Sequence, residues 1–192
     1  KVYYIEEDYK EINKLGILMT GNYMENTWQN KMIIDFYTIK GVLENLLTYL
    51  GLIKRYTLEK DAGSSYHPGI SAKIIVDKEV VGYIGKPHPN VTNKDIYVCE
   101  LNIDKLYDLQ IKAIKSKEIS KYPTVVKDVA FIFDNNINAG DVINTINKKG
   151  GKIVIDVDVF DVFNMNDKKS IAFKITFQDA NKTLTDEEVN KS

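Results

Sequence analysis

The amino-acid sequence predicts an α+β protein that is divided into two domains. Helix-like and strand-like hydrophobic patterns alternate along the 192 residues. Hydrophobic residues make up 44% and charged residues 28% of the chain, which is typical of a globular protein with a sizeable core. The formal net charge is −1, so no overall basic or acidic field indicates a partner of opposite charge. A lysine-rich stretch near the middle of the chain separates the two predicted domains.

The first domain is predicted to contain a strand followed by a long amphipathic helix. Residues 15–21 form an apolar run closed by glycine, which is typical of a buried strand. Asp35 or Thr38 is placed to cap the helix that follows the loop after this strand, and Gly51 is placed to end it. The apolar residues at helical spacing between them are Ile39, Val42, Leu43, Leu46, Leu47 and Leu50.

The rest of the first domain is predicted to be a loop, a hairpin, a further strand and a short helix. Residues 52–66 are polar and loop-like. Strands at 71–76 and 80–84 flank a polar three-residue turn, which predicts a hairpin. Residues 96–101 predict another strand, and Asp104 is placed to cap the short helix after it.

The boundary between the domains is predicted from the change in composition. Residues 111–127 hold five lysines against a single glutamate. We therefore place the first domain at residues 1–112, a linker at 113–118 and the second domain at 119–192.

The second domain is predicted to have the element order β-α-β-β-α. A strand at 129–133 precedes a helix that is capped by Asn138 and ends at two glycines. Two long strands follow at 153–163 and 170–178. Thr185 and Glu188 then form a capping-box signature that opens a second helix. This order is that of a ferredoxin-like fold that is truncated at its C-terminus.

No catalytic or metal site is predicted from the residues. His67, His88 and Cys99 have neither zinc-ligand spacing nor the arrangement of a nucleophile and its base. The aspartates at 156, 158 and 161 are interpreted as a solvated strand face. Cys99 is the single cysteine, which excludes an intrachain disulfide and favours a reducing compartment. No apolar run approaches the roughly 18 residues of a membrane span, so no membrane partner is expected.

Charge and aromatic patterning alone do not predict that the second domain binds RNA. Residues 119–192 hold 10 lysines against 11 acidic residues. The alternating pattern of the last strand directs Phe173 and Phe177 towards the helices rather than outward, where they would stack on bases. Arg55 is the single arginine of the chain, so paired guanidinium clamps on phosphate or carboxylate are excluded.

Several short motifs, taken in order, resemble the bacterial phenylalanyl-tRNA synthetase β-subunit family. Each motif is weak alone, but the ordered set is specific and spans nearly the whole chain. The motifs are DFYTIKGVLE at 35–44, YHPGISA at 66–72, GYIG at 82–85, ISKYP at 119–123, FDVF at 160–163 and TLTDEEVN at 183–190.

The resemblance implies a C-terminal fragment of that subunit. The first domain would be part of a class II synthetase-like antiparallel module without aminoacylation activity, and the second a truncated ferredoxin-like anticodon-binding domain. The fragment would contribute to subunit assembly and to binding the anticodon region of tRNA while phenylalanine is attached. The whole enzyme, an aminoacyl-tRNA synthetase, would use ATP and Mg²⁺, but the fragment itself would bind no cofactor and would be catalytically inactive.

The resemblance also implies the partners and the compartment. The implied partners are tRNA and the α subunit, with two α and two β subunits in a heterotetramer. The implied compartment is the cytoplasm. The lysines that we expect to contact tRNA are Lys121, Lys127, Lys168, Lys169 and Lys174.

Two other hypotheses remain open at this point. One is a free-standing ferredoxin-like module for protein interaction or ligand regulation, and the other is a small hydrolase centred on His67 or His88. Binding of tRNA that weakens with salt would distinguish the synthetase fragment from both.

Overall fold

A computed structural model describes residues 1–5, 8–24, 28, 32–52, 54–61, 63–109 and 119–191. The chain divides into two compact units, Lys1–Lys115 and Ser116–Ser192. The α+β class with antiparallel sheets is confirmed. The linker predicted at 113–118 lies outside the described residues, as do Lys112, Lys115 and Lys117. None of the helices in the described ranges is long and apolar enough to cross a membrane.

Unit 1 contains a two-stranded and a five-stranded antiparallel sheet. The small sheet pairs β1 (Val2–Ile5) with β2 (Tyr9–Ile12). The large sheet has the strand order β3-β7-β6-β5-β4. Its strands are β3 (Lys14–Thr20), β4 (Tyr56–Lys60), β5 (Tyr66–Val76), β6 (Glu79–Pro87) and β7 (Ile96–Asn102).

Helix α1 (Phe36–Tyr49) covers one face of the large sheet. Of the two predicted caps, Asp35 begins the helix: its Oδ1 accepts a hydrogen bond from the Thr38 backbone N at 2.8 Å. The Thr38 hydroxyl in turn accepts from the Asp35 backbone N, which completes a capping box. Gly51 has a φ of 73° just beyond the helix end, as predicted. The fully buried residues at this interface are Ile39, Leu43 and Leu47 from α1 and Ile74, Ile84 and Leu101 from the sheet.

The predicted hairpin of β5 and β6 is confirmed, with a tight two-residue turn. Asp77 and Lys78 have φ angles of 48° and 76°, respectively. Two successive positive φ angles are those of a type I′ turn, whose twist matches the strands of a hairpin.

Three predictions for unit 1 were wrong. Residues 52–66 include strand β4, in which Tyr56 and Leu58 pack against the core while the residues between them are more polar. Only one face of this strand is apolar, so the segment as a whole is polar and was interpreted as a loop. Strand β3 is not buried on both faces but lies at the sheet edge, where Leu18 is exposed. Helix α2 (Ile103–Asp108) is capped by Asn102, whose side chain accepts from the Lys105 backbone N.

Asp104, the cap predicted for α2, has a different role. Its two carboxylate oxygens accept hydrogen bonds from the backbone N and the side-chain Nδ2 of Asn13, both at 2.8 Å. These hydrogen bonds lower the pKa of Asp104. The residue therefore joins α2 to the chain just before β3.

Unit 2 has the predicted β-α-β-β-α order. Its sheet has the strand order β8-β10-β9. A short 3₁₀ turn at Gly151–Ile153 follows the first of its two helices. The elements are β8 (Val125–Asp134), α3 (Ala139–Gly150), β9 (Val154–Asn164), β10 (Lys168–Phe177) and α4 (Asp186–Lys191).

The helices of unit 2 pack against one face of the sheet, called here the helix-covered face. The predicted inward direction of Phe173 and Phe177 is confirmed, since both are buried with Ile171 and Ile175. On β9, however, Val157 alone is buried: Val159 lies opposite Phe173 on the same face but stays exposed. Register shifts opposite Ala172/Phe173 and Thr176/Phe177 interrupt the alternation on either side of these two residues. The capping box of α4 is confirmed: the Glu188 N donates to the Thr185 hydroxyl, and the Thr185 N donates to the Glu188 carboxylate.

Candidate nucleic-acid interface

The histidines and the cysteine considered from the sequence support turns and the core. Nδ1 of His67 accepts a hydrogen bond from the Gly69 backbone N at 3.0 Å, and Nδ1 of His88 accepts from the Asn90 backbone N at 3.2 Å. Cys99 is buried, and this burial raises the pKa of its thiol to about 12. Among the described residues, no group of three or more histidine, cysteine or acidic side chains is placed to hold a metal ion.

The single arginine is engaged within unit 1. Nε of Arg55 lies 3.1 Å from a carboxylate oxygen of Asp77, in the turn between β5 and β6. Hydrogen bonding to Asp77 raises the pKa of Arg55. The guanidinium is thus bound to a carboxylate of its own chain.

The five lysines predicted to contact tRNA lie at several separate places on unit 2. Lys121 lies beside the end of β10, where the Gln178 side chain donates to the neighbouring carbonyl of Tyr122 at 2.8 Å. Lys168 and Lys169 lie at the opposite end of the same strand. Ten residues of strand at about 3.3 Å each separate the two ends by about 30 Å.

Three of the predicted lysines have partners inside unit 2. Nζ of Lys127 lies 2.7 Å from Oδ1 of Asp186, and this hydrogen bond and charge lower the pKa of Asp186. Nζ of Lys169 donates to the backbone carbonyl of Asn135 at 3.0 Å. Lys174 lies between Asp128 and Asp158 in the cross-strand register. Its ammonium lies 5.6 Å from the centre of the Phe160 ring.

A basic cluster that sequence reasoning did not select lies at the C-terminal end of α3. We call Lys148, Lys149 and Lys152 the α3-end cluster. All three side chains are exposed, and none forms an ion pair within the described ranges. The Gln178 backbone N donates to the carbonyl of Ile153, so the cluster lies at the same end of the sheet as Lys121. The order Lys-Lys-Gly-Gly-Lys at the end of a predicted helix was the signal that could have identified it.

The second sheet face of unit 2, called here the open face, carries the predicted aspartate cluster. Asp156, Asp158 and Asp161 lie opposite Thr176, Lys174 and Ala172, respectively. The register shift in β9 brings Asp161 to the same face as the other two, whereas strict alternation would separate them. All three are exposed, as predicted. Phosphate is repelled by such a face, which leaves the α3-end cluster as the more favourable place for a nucleic-acid backbone.

Comparisons with known proteins decide the family. Residues 1–103 match the family model described as the phenylalanyl tRNA synthetase beta chain CLM domain. Residues 120–192 match the ferredoxin-fold anticodon binding domain. The chain belongs to the phenylalanyl-tRNA synthetase β-subunit family. Both units match parts of this family, so a free-standing ferredoxin-like module is not favoured.

Individual relatives of this family align with nearly the whole chain. The phenylalanine–tRNA ligase beta subunits of Shouchella clausii and Fusobacterium nucleatum are 33% and 37% identical over 189 and 188 residues. That of Bacillus cereus is 34% identical over 192 residues. These alignments cover 92–95% of this chain but 23–24% of each relative. The chain therefore spans just under a quarter of the length of the curated relatives it matches.

Proposed function

We propose that this chain contributes to a phenylalanine–tRNA ligase by binding the anticodon region of tRNA through unit 2. The observation that carries the proposal is the match of residues 120–192 to the ferredoxin-fold anticodon binding domain. The chain's own geometry supports it, since the α3-end cluster offers exposed cations whose charge no carboxylate of the described unit neutralises.

The proposed contacts are to phosphate rather than to bases. The α3-end cluster and Lys121 lie at one end of the sheet, so a single stretch of backbone reaches them together. Lysine ammonium groups act as point charges on phosphate and discriminate little between sequences. Lys168 and Lys169 form a second candidate set about 30 Å away. The charge of Lys127 is paired with Asp186, and Lys174 faces Asp128 and Asp158 across the strands, so we expect smaller contributions from them.

The proposed role of unit 1 is assembly with the α subunit rather than activation of phenylalanine. Class II activation uses arginines to hold ATP and the acyl phosphate, whereas Arg55 is bound to Asp77. ATP and Mg²⁺ would then act in the whole ligase, away from this chain. The ligase would be a cytoplasmic heterotetramer of two α and two β subunits.

The proposal is tested by measuring the affinity of the chain for tRNA at low salt. We compare the wild type with the triple variant Lys148→Gln/Lys149→Gln/Lys152→Gln. The matched control is Lys60→Gln/Lys78→Gln/Lys94→Gln, which removes the same charge from exposed lysines of unit 1. A third variant, Lys168→Gln/Lys169→Gln, tests the second candidate set.

The α3-end variant should bind tRNA roughly tenfold or more weakly, while the unit 1 control stays within about twofold of the wild type. Equal losses in both variants would indicate binding through net charge alone and contradict the proposed interface. A loss confined to the Lys168/Lys169 variant would move the interface to the other end of the sheet. A chain that does not bind tRNA under any of these conditions would refute the function.

A further inference from the structure

The open face of unit 2 exposes large apolar side chains that the proposed function does not use. Soluble proteins rarely leave a contiguous patch of such residues uncovered unless it contacts a partner. The exposed fractions are 50% for Val126, 63% for Ile132, 52% for Phe160 and 65% for Phe163.

These side chains line a shallow groove whose floor is the middle strand, β10. Ser170 lies opposite Ile132 of β8 on one side and opposite Phe163 of β9 on the other. Ala172 continues the floor, with Ala130 opposite it on β8. The large residues stand on the two outer strands, about 10 Å apart, because neighbouring strands are spaced at about 4.8 Å. A groove of this width accommodates one extended polypeptide segment.

The charge of this face determines the kind of segment. Its carboxylates are Asp128 and Asp134 on β8 and Asp156, Asp158 and Asp161 on β9. Lys168 and Lys174 of β10 lie on the same face, opposite Asp134 and Asp128, so carboxylates outnumber cations on the described strands and the face is acidic. Phosphate is therefore a poor ligand for this face and a cationic side chain is a good one.

Lys174 shows which groups surround a cation on this face. It lies between Asp128 and Asp158, and its Nζ is 5.6 Å from the centre of the Phe160 ring. The same combination of carboxylate and aromatic ring recurs one step along β9, where Asp161 stands between Phe160 and Phe163 in the sequence. A lysine or arginine of a partner that lies there is close to a carboxylate and an aromatic ring, the two types of group that Lys174 faces and contacts.

We propose that the open face of unit 2 docks a basic, partly apolar polypeptide segment of a protein partner. Apolar side chains of the segment fill the groove over Ser170 and Ala172, and its cationic side chains pair with Asp158 and Asp161. This surface is separate from the α3-end cluster, so the chain can contact protein and RNA through different parts of unit 2.

The test is an amide chemical-shift titration of the whole ¹⁵N-labelled chain with two synthetic peptides. The basic probe is acetyl-KIKFKVK-amide, and the acidic probe acetyl-EIEFEVE-amide has the same apolar residues. The basic probe should shift the amides of Ser170, Ala172 and Phe163 and should bind more weakly as salt is raised. The acidic probe should leave them in place.

Two variants identify the groups that bind the probe. Phe160→Ser/Phe163→Ser and Asp158→Asn/Asp161→Asn should each weaken binding of the basic peptide at least fivefold without changing tRNA affinity. Tyr49→Ser/Tyr107→Ser, which alters two tyrosines of unit 1 that are more exposed still, is the control and should bind as the wild type does.

Four results would overturn the proposal. They are equal binding of the two peptides, shifts mapped to the helix-covered face, shifts that appear on raising the protein concentration without peptide, and shifts of the open face produced by tRNA. The third result would assign the face to a second copy of the chain. The fourth would assign it to RNA and leave the proposed function intact.

Discussion

Gly82 shows at the scale of one residue how closely the strands of unit 1 approach each other. A Cβ atom built at this position on β6 would lie 2.0 Å from the backbone oxygen of Glu100 on β7. Because that neighbour is backbone, no side-chain rotation can relieve the overlap. We expect Gly82→Ala to lower the free energy of unfolding of unit 1 by roughly 2–4 kcal/mol, as measured by denaturant unfolding.

The control for this prediction is Gly16→Ala on the neighbouring strand β3. Among the described residues, no atom lies within 4 Å of a Cβ built there. The substitution should leave the stability unchanged or raise it slightly, because alanine has less conformational freedom than glycine in the unfolded chain. Equal destabilisation by the two substitutions would show that strand backbone entropy, rather than the close approach, determines the effect at Gly82.

Burial of the Cys99 thiol predicts a dependence of stability on alkaline pH. The pKa is raised from 9.0 to about 12, chiefly by desolvation and then by the charge of Glu100. The contribution of the buried, protonated thiol to the free energy of unfolding is fully present below pH 9. Between the two values the unfolded chain loses a proton that the folded chain keeps, so the free energy of unfolding falls as the pH rises. The slope is at most about 1.4 kcal/mol per pH unit.

The measurement compares the wild type with Cys99→Ala, whose stability at neutral pH is expected to be lower because a buried side chain is shortened. The difference in stability between the two proteins should shrink as the pH rises from 9 to 11. A difference that stays constant over this range would contradict the pKa shift.

At the scale of an element, α1 is held to the sheet by a few fully buried side chains. Leu47 has no exposed surface and packs in the core of unit 1. Leu47→Ala should cost about 3 kcal/mol, through lost transfer free energy and the cavity left behind. Tyr49→Ala, on the exposed side of the same helix, should change stability by less than about 0.5 kcal/mol.

Hydrogen exchange of the β5 and β6 amides measures the loss of stability caused by Leu47→Ala in unit 1 alone. Faster exchange in Leu47→Ala but not in Tyr49→Ala is the expected result. Similar exchange rates in the two variants would mean that the packing of α1 contributes little to the stability of the sheet.

The elements that the sequence predicted well are those with a strong local signal. The helix cap at Asp35, the capping box at Thr185, the helical spacing of α1 and the hairpin at Asp77 each depend on residues close together in the chain. Strand β4 was missed because an edge strand with a single apolar face has average polarity. The bulges of β9 were missed because a register shift depends on the partner strand, and they explain why the open face has its two phenylalanines.

The candidate interface was harder to predict than the fold for the same physical reason. Lysine has the same sequence signature whether its ammonium is free or paired, and its partners are distant in the chain. Lys127 pairs with Asp186, 59 residues away. The resemblance to the family implies a class of partner, but only the folded arrangement distinguishes paired lysines from the α3-end cluster.

At the scale of the whole molecule, two units belong to one synthetase family and together account for under a quarter of its relatives' length. In the proposed function, unit 2 holds the tRNA backbone by electrostatic contacts with the α3-end cluster. Electrostatic contacts with phosphate have a direct thermodynamic signature in their dependence on salt.

The most direct test is therefore the slope of the logarithm of the tRNA association constant against the logarithm of salt concentration. Each phosphate contact by a lysine contributes a slope of about −0.7 to −0.9. The slope should become shallower by about two to three units in Lys148→Gln/Lys149→Gln/Lys152→Gln and should be unchanged in Lys60→Gln/Lys78→Gln/Lys94→Gln. The same slope in the wild type and in the α3-end variant would contradict the account.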